Sequence, residues 1–257
     1  MGMFKIALDA GHGMNTPGKR CLKSLDPKET REWFLNDRIA RLIEEKLAVY
    51  DGYELIRVDD TTGTVDISLN IRTQVANAWG ADIYLSVHHN AGVNGGYGGG
   101  VVSIAYTKAS ELSLEYQKLI YDELIGKTGL KGNRSIPCPR QNLQVLRETN
   151  MPAVLVECGF MDSVTDVPVI LTEQFANAAA EGMVAALVKI GNLTEKKGNV
   201  MECDKGFVEL TEINDIVWEL SHRGIITDNG LWLNKLKNDS NSYWLARKCL
   251  KYIRECE

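Results

Sequence analysis

Along the first 190 residues, short apolar runs alternate with longer stretches whose apolar residues recur at helical spacing. That alternation restricts the chain to an α/β layer fold with a largely parallel sheet. The apolar runs are residues 4–8, 53–58, 82–87, 101–106, 143–146 and 153–156, each read as a strand. The helical stretches are residues 31–50, 66–79, 109–125 and 172–190. The first helix is expected to turn Phe34, Leu35, Ile39, Leu42, Ile43 and Leu47 inward. The second is expected to bury Ile67, Ile71, Val75 and Ala78.

The pattern changes after residue 190. Residues 191–206 are polar and read as a linker, which makes residues 1–190 one catalytic-sized domain. Residues 207–257 read as a small α-helical module, with helices near 210–223, 231–236 and 242–255. Trp218, Trp232 and Trp244 fall in it and are better read as core than as sugar platforms. A core of that size is marginal alone, so the module is expected to pair with another copy or with the main domain.

Composition narrows the partners. A net charge of -5 offers no basic footprint for nucleic acid. No apolar run reaches the length of a membrane span. No basic segment followed by an apolar one opens the chain, so synthesis in the cytoplasm without a signal peptide is expected. The six cysteines, none spaced C-x-x-C, read as reduced thiols and not as a zinc site.

Chemistry-bearing residues gather at the ends of the strands. The first strand runs into Asp9-Ala10-Gly11-His12-Gly13, where two glycines let the backbone turn sharply around a histidine. The third ends in Ser86-Val87-His88-His89-Asn90, and the last in Glu157-Cys158-Gly159-Phe160. Glu32 stands in the first turn of the first helix, on the face that continues to Asn36 and Ile39. In a parallel sheet His12, Glu32, His88 and Glu157 meet above one edge. Two histidines and a carboxylate form a catalytic zinc set, and a second carboxylate can then move the proton. This inventory fits metal-assisted amide hydrolysis. It does not fit a serine hydrolase, because G-x-S-x-G is absent, nor a cysteine one, because Cys158 should face away from Glu157. His89 competes with His88, and Glu29 with Glu32. Asn90 reads equally as a turn residue or a substrate contact, and the glycines between Gly92 and Gly100 as a flexible rim.

Four motifs resemble the zinc-dependent N-acetylmuramoyl-L-alanine amidases of the type 3 group. They are DAGHG at 9–13, E-x-x-x-N at 32–36, SVHHN at 86–90 and PAVLVECGF at 152–160, in the family's order. The resemblance spans residues 3–190. It implies a twisted, mostly parallel six-stranded sheet flanked by helices. It also implies cleavage of the amide between N-acetylmuramic acid and L-alanine in peptidoglycan. By the same resemblance His12, Glu32 and His88 hold one Zn2+, Glu157 is the catalytic carboxylate, and Arg72 is structural support. His89 departs from the family, which more often has alanine there. So does the long segment before Glu32, around Cys21.

A wall-cutting enzyme without an export signal suggests a phage endolysin. A sporulation or autolytic amidase and a zinc peptidase of the peptide stem are the alternatives, as is a catalytically dead wall-binding protein. The C-terminal module would tether the enzyme to a wall polymer. Lys196-Lys197-Gly198 must be encoded by a purine-rich run ending in GG, shortly before Val200 and Met201. Such a run resembles a ribosome-binding site. Initiation there would release a free C-terminal fragment able to associate with the full-length chain.

Overall fold

β1 (Phe4–Ala10) alternates its side chains between two cores: Ile6 and Leu8 enter one, Ala7 the other. The same alternation recurs in β4 (Ile83–Asn90) and β7 (Ala153–Phe160), where Leu85 and Val156 face one core and Tyr84 and Leu155 the other. Strands buried on both faces need helices on both sides. The computed structural model, which describes residues 2–196, shows that arrangement.

The remaining elements follow in chain order. α1 (Glu32–Leu47) leads into β2 (Tyr50–Asp51) and β3 (Tyr53–Arg57), then α2 (Leu69–Trp79) precedes β4. After β4 come β5 (Val102–Tyr106), α3 (Glu111–Thr128), β6 (Arg140–Gln141) and α4 (Gln144–Arg147). β7 is followed by α5 (Val167–Ile170), α6 (Glu173–Gly191) and β8 (Thr194–Glu195). The main sheet has six strands in the order β3-β1-β4-β7-β5-β6. Its pairs are parallel except β5 with β7. β2 and β8 form a separate antiparallel pair.

The larger core lies between the sheet and α1, α3 and α6, around Leu35, Ile39, Ile120 and Met183. The smaller lies under α2 and α4, around Ala76, Val145 and Leu146. Ser68 caps α2, accepting from the backbone N–H of Ile71, and Gly80 ends it in the left-handed conformation.

The mostly parallel α/β sheet flanked by helices agrees with expectation, and three local readings are corrected. Residues 143–146 do not form a strand; α4 occupies them, and the sixth strand is β6 just before it. A four-residue apolar run cannot tell strand from helix by period alone. Phe34 does not face inward but is 59% exposed, and its neighbour Trp33 is buried instead. Ile71, Val75 and Ala78 on α2 are exposed, and the buried face carries Arg72, Thr73 and Ala76. There a buried arginine outweighs the apolar stripe. Among the described residues no helix is long and apolar enough to cross a membrane. The helical module at 207–257, most of the linker, and the start near Val200 or Met201 lie outside the described residues.

Candidate metal centre

β1, β4 and β7 are neighbours and run parallel, so their carboxyl ends open at one edge of the sheet. His12 sits in the turn leaving β1. His88 and Glu157 are register partners across β4 and β7. The pairing slips between His88 and Asn90, a bulge of the kind that re-aims side chains beside sites. Glu32 opens α1. No side chain caps that helix; the backbone N–H of Glu32 donates to the carbonyl of Lys19 at 3.1 Å. Its carboxylate is thereby left to face the histidines.

Of the four residues expected to meet, His12, Glu32 and His88 come together, and Glu157 lines the same cavity as Glu32 and His88. Oε1 of Glu32 lies 3.0 Å from Nδ1 of His88 and 3.3 Å from Nε2 of His12. The two imidazoles stand edge to face, with centroids 4.9 Å apart. One donor atom from each of His12, Glu32 and His88 lies within 4.8 Å of the others. Nε2 of His12 and Oε2 of Glu32 are buried without a hydrogen-bond partner, as is Oε2 of Glu157. Unpartnered buried atoms are costly. A cation among two imidazoles and a carboxylate would satisfy the first two, so these residues fit a zinc ion.

Burial works to raise the Glu32 carboxyl, but the imidazoles of His12 and His88 beside it outweigh that and hold Glu32 well below the ordinary value. His88 is raised: burial opposes its charged form, and Glu32 more than compensates. Burial pushes Glu157 up to about 7; Glu32 adds to the rise, while His88 and Lys19 oppose it.

The loop that carries His12 is held under strain. His12 has φ of 68°, a left-handed conformation uncommon outside glycine. Arg72 binds the loop with all five of its donors. Nη1 reaches Asp9 at 2.5 Å and the Ala10 carbonyl at 2.9 Å. Nη2 reaches the His12 carbonyl and Asp66, both at 3.0 Å, and Nε the Ile67 carbonyl at 2.7 Å. Gly11 leaves room for the His88 ring: a Cβ there would collide with its Cε1 and Nε2.

His89 lies apart from the three clustered donors. Its ring is buried, with Nδ1 2.8 Å from Oδ1 of Asn36. Asn36 donates its Nδ2 to the Gly11 carbonyl at 3.1 Å, so Oδ1 must accept and Nδ1 of His89 carries the proton. Burial pushes His89 down to about 3, so it stays neutral. Asn90 uses its side-chain oxygen locally, accepting from the N–H of Ala91. Cys158 faces the larger core, away from Glu157.

The glycine-rich segment after β4 is not the flexible rim expected. Asp162 accepts the backbone N–H groups of Gly92, Val93 and Asn94 at 2.7–2.9 Å. Asp166 accepts those of Gly100 and Phe160 at 2.7 and 2.9 Å. Neither carboxylate carries a sequence signal, because their partners are main-chain groups. Asn36 and Lys19 also reach the site without having been read as functional.

Two cavities flank the cluster. One, of about 370 Å³, is lined by Lys19, Glu32, His88, His89, Asn90 and Glu157 among others. The other, of about 330 Å³, includes His12, Asp66, Ile67, Ser68 and Leu69.

A sequence profile for N-acetylmuramoyl-L-alanine amidases matches residues 6–189. The chain belongs to that family. Among curated amidases it is 34% identical over 194 residues to the sporulation-specific N-acetylmuramoyl-L-alanine amidase of Bacillus subtilis, covering 74% of this chain and 69% of that protein. It is 30% identical over 194 residues to the endolysin of Bacillus phage SPP1, covering 75% and 68%. Among solved structures it resembles an N-acetylmuramoyl-L-alanine amidase from Clostridium difficile 630. The TM-score is 0.67 and the identity 28%, over 77% of this chain and 100% of that one. The chain is therefore an amidase enzyme, on the fold its relatives share.

Proposed function

We propose that the chain hydrolyses the amide between N-acetylmuramic acid and L-alanine in peptidoglycan, with one Zn2+ held by His12, Glu32 and His88. The observation that carries this is the meeting of those three donors, two of them with buried and unpartnered atoms, beside a cavity that Glu157 also lines. Zinc bound there supplies Lewis-acid polarisation of the scissile carbonyl and of the attacking water. Glu157 accepts the water proton and returns it to the leaving amine of L-alanine. Its pKa of about 7 places it near the working pH of such a base. Arg72 and Asn36 hold the loop and helix that carry the ligands.

We assign the biological role to a phage endolysin made in the cytoplasm and acting on the wall after release. The likeness to the SPP1 endolysin supports it. The likeness to a sporulation-specific amidase favours the second reading, a lytic enzyme of sporulation. Residues 207–257 would tether the enzyme to a wall polymer or to another copy.

The experiment is product analysis by mass spectrometry of purified wall digested with the full-length chain. New L-alanine amino termini and intact lactyl carboxyls are expected. Termini at other stem residues would instead identify a peptidase, and no products at all a wall-binding protein.

A further inference from the structure

Lys19 is the fixed cation among the residues lining the larger cavity, whose other charged walls are Glu32 and Glu157. It is aimed by a turn. Thr16-Pro17-Gly18-Lys19 closes with the Lys19 N–H donating to the Thr16 carbonyl at 3.4 Å, and Gly18 has φ of 74°. Proline then glycine at the two central positions is the type II signature, since the third residue must take positive φ. Beyond the turn, the Lys19 carbonyl accepts from Glu32 and Arg20 bridges to Arg31. The lysine backbone is thus fixed to the start of α1.

The Lys19 side chain is 44% exposed, and its ammonium lies 3.6 Å from Oε2 of Glu32, looser than a direct hydrogen bond. Three donors on a flexible stem beside the reacting groups suit an incoming anion. The cavity that His12 lines has a cation of its own, Arg72, but its donors are all engaged by Asp9, Asp66 and loop carbonyls, which leaves the carboxylate of Asp66 and the aliphatic surface of Ile67 and Leu69 to meet a ligand. Hydroxyl donors and an apolar ring face suit those walls; an anion does not.

The proposed substrate has the matching asymmetry. Its acyl side is an uncharged sugar. Its amine side is a stem peptide whose second residue, a side-chain-linked glutamate, leaves a free carboxylate. We propose that Lys19 is a specificity residue that receives this carboxylate, so that the stem lies over the Lys19 cavity and the sugar over the Asp66 cavity. This rests on the amidase reading above and adds the direction in which the substrate lies.

The test uses the zinc-supplemented full-length chain and two synthetic muramyl peptides, one with that carboxylate and one with a carboxamide in its place. Wild type is expected to favour the carboxylate in kcat/KM by about tenfold or more, the worth of a charge-assisted hydrogen bond. Lys19→Met should bring the ratio close to one, and Lys19→Arg should keep most of it. A wild-type ratio of one, or a ratio unchanged in Lys19→Met, would overturn the proposal while leaving the amidase reading intact. Cleavage of neither peptide would overturn both.

Discussion

Nη2 of Arg72 donates to the carbonyl of His12 at 3.0 Å, so a buried arginine on α2 clamps the strained loop of the proposed metal centre. The same guanidinium neutralises Asp9, which also accepts from Ser86 at 2.6 Å. Fold and site therefore share one charged cluster.

Arg72→Met would leave Asp9 buried without its counter-charge. Breaking such a pair costs about 3–5 kcal/mol. Urea unfolding should show a loss of that size, only partly recovered by Arg72→Lys, which cannot supply five donors. Acid adds a sign to check. Burial pushes the Asp9 carboxyl up, but Arg72 and then His88 and Ser86 hold it below its ordinary value. Its stabilising contribution in wild type is thus complete above about pH 4 and lost as pH falls further, through the folded-state value. In Arg72→Met the lone buried carboxylate should instead gain from protonation, so that variant should become relatively more stable on acidification.

Gly11→Ala places a methyl against the His88 ring, which must swing away. Moving a ligand in this way should weaken zinc by roughly 10–100-fold, the scale seen when a ligand loses its support. Isothermal titration with zinc would measure it. Unchanged affinity would mean that His88 is not a ligand.

His12→Gly separates strain from function. Relief of the left-handed backbone, less the flexibility gained by the unfolded chain, should raise stability by about 0.5–1 kcal/mol. Zinc binding and turnover should both be lost. Thermal melts of the metal-free protein, paired with metal analysis, would show both effects.

Zinc affinity should fall as pH falls. Burial opposes a proton on His88, but Glu32 outweighs it, so the metal-free ring holds its proton above the ordinary histidine range. Zinc must displace that proton. Titrations in two buffers of different ionisation enthalpy should reveal proton release, greatest on the acid side of neutrality. Its absence would contradict the Glu32–His88 pairing.

Much of this was legible along the chain. Strand ends announced His12, His88 and Glu157, because an apolar run that stops at a histidine or glutamate gives the chemistry no other place to go. Glu32 was readable from its helical spacing to Asn36. The face of α2 was not, since a period count scores Ile71 and Val75 as inward and cannot know that Arg72 is paired with a buried aspartate. The tied-down glycine segment was equally hidden, because Asp162 binds main-chain N–H groups that look the same in every residue. Lys19 carried a usable sign, the Pro17-Gly18 turn, but its nearness to Glu32 depends on the Arg20–Arg31 bridge.

The most direct test is a crystal of the full-length chain grown with zinc, with anomalous data collected on both sides of the zinc absorption edge. A single peak bonded to His12, Glu32 and His88, with Glu157 facing it but not bonded, is the expected result. No peak there, or a peak bonded to His89 or Glu157 in place of one of the three, would contradict the account.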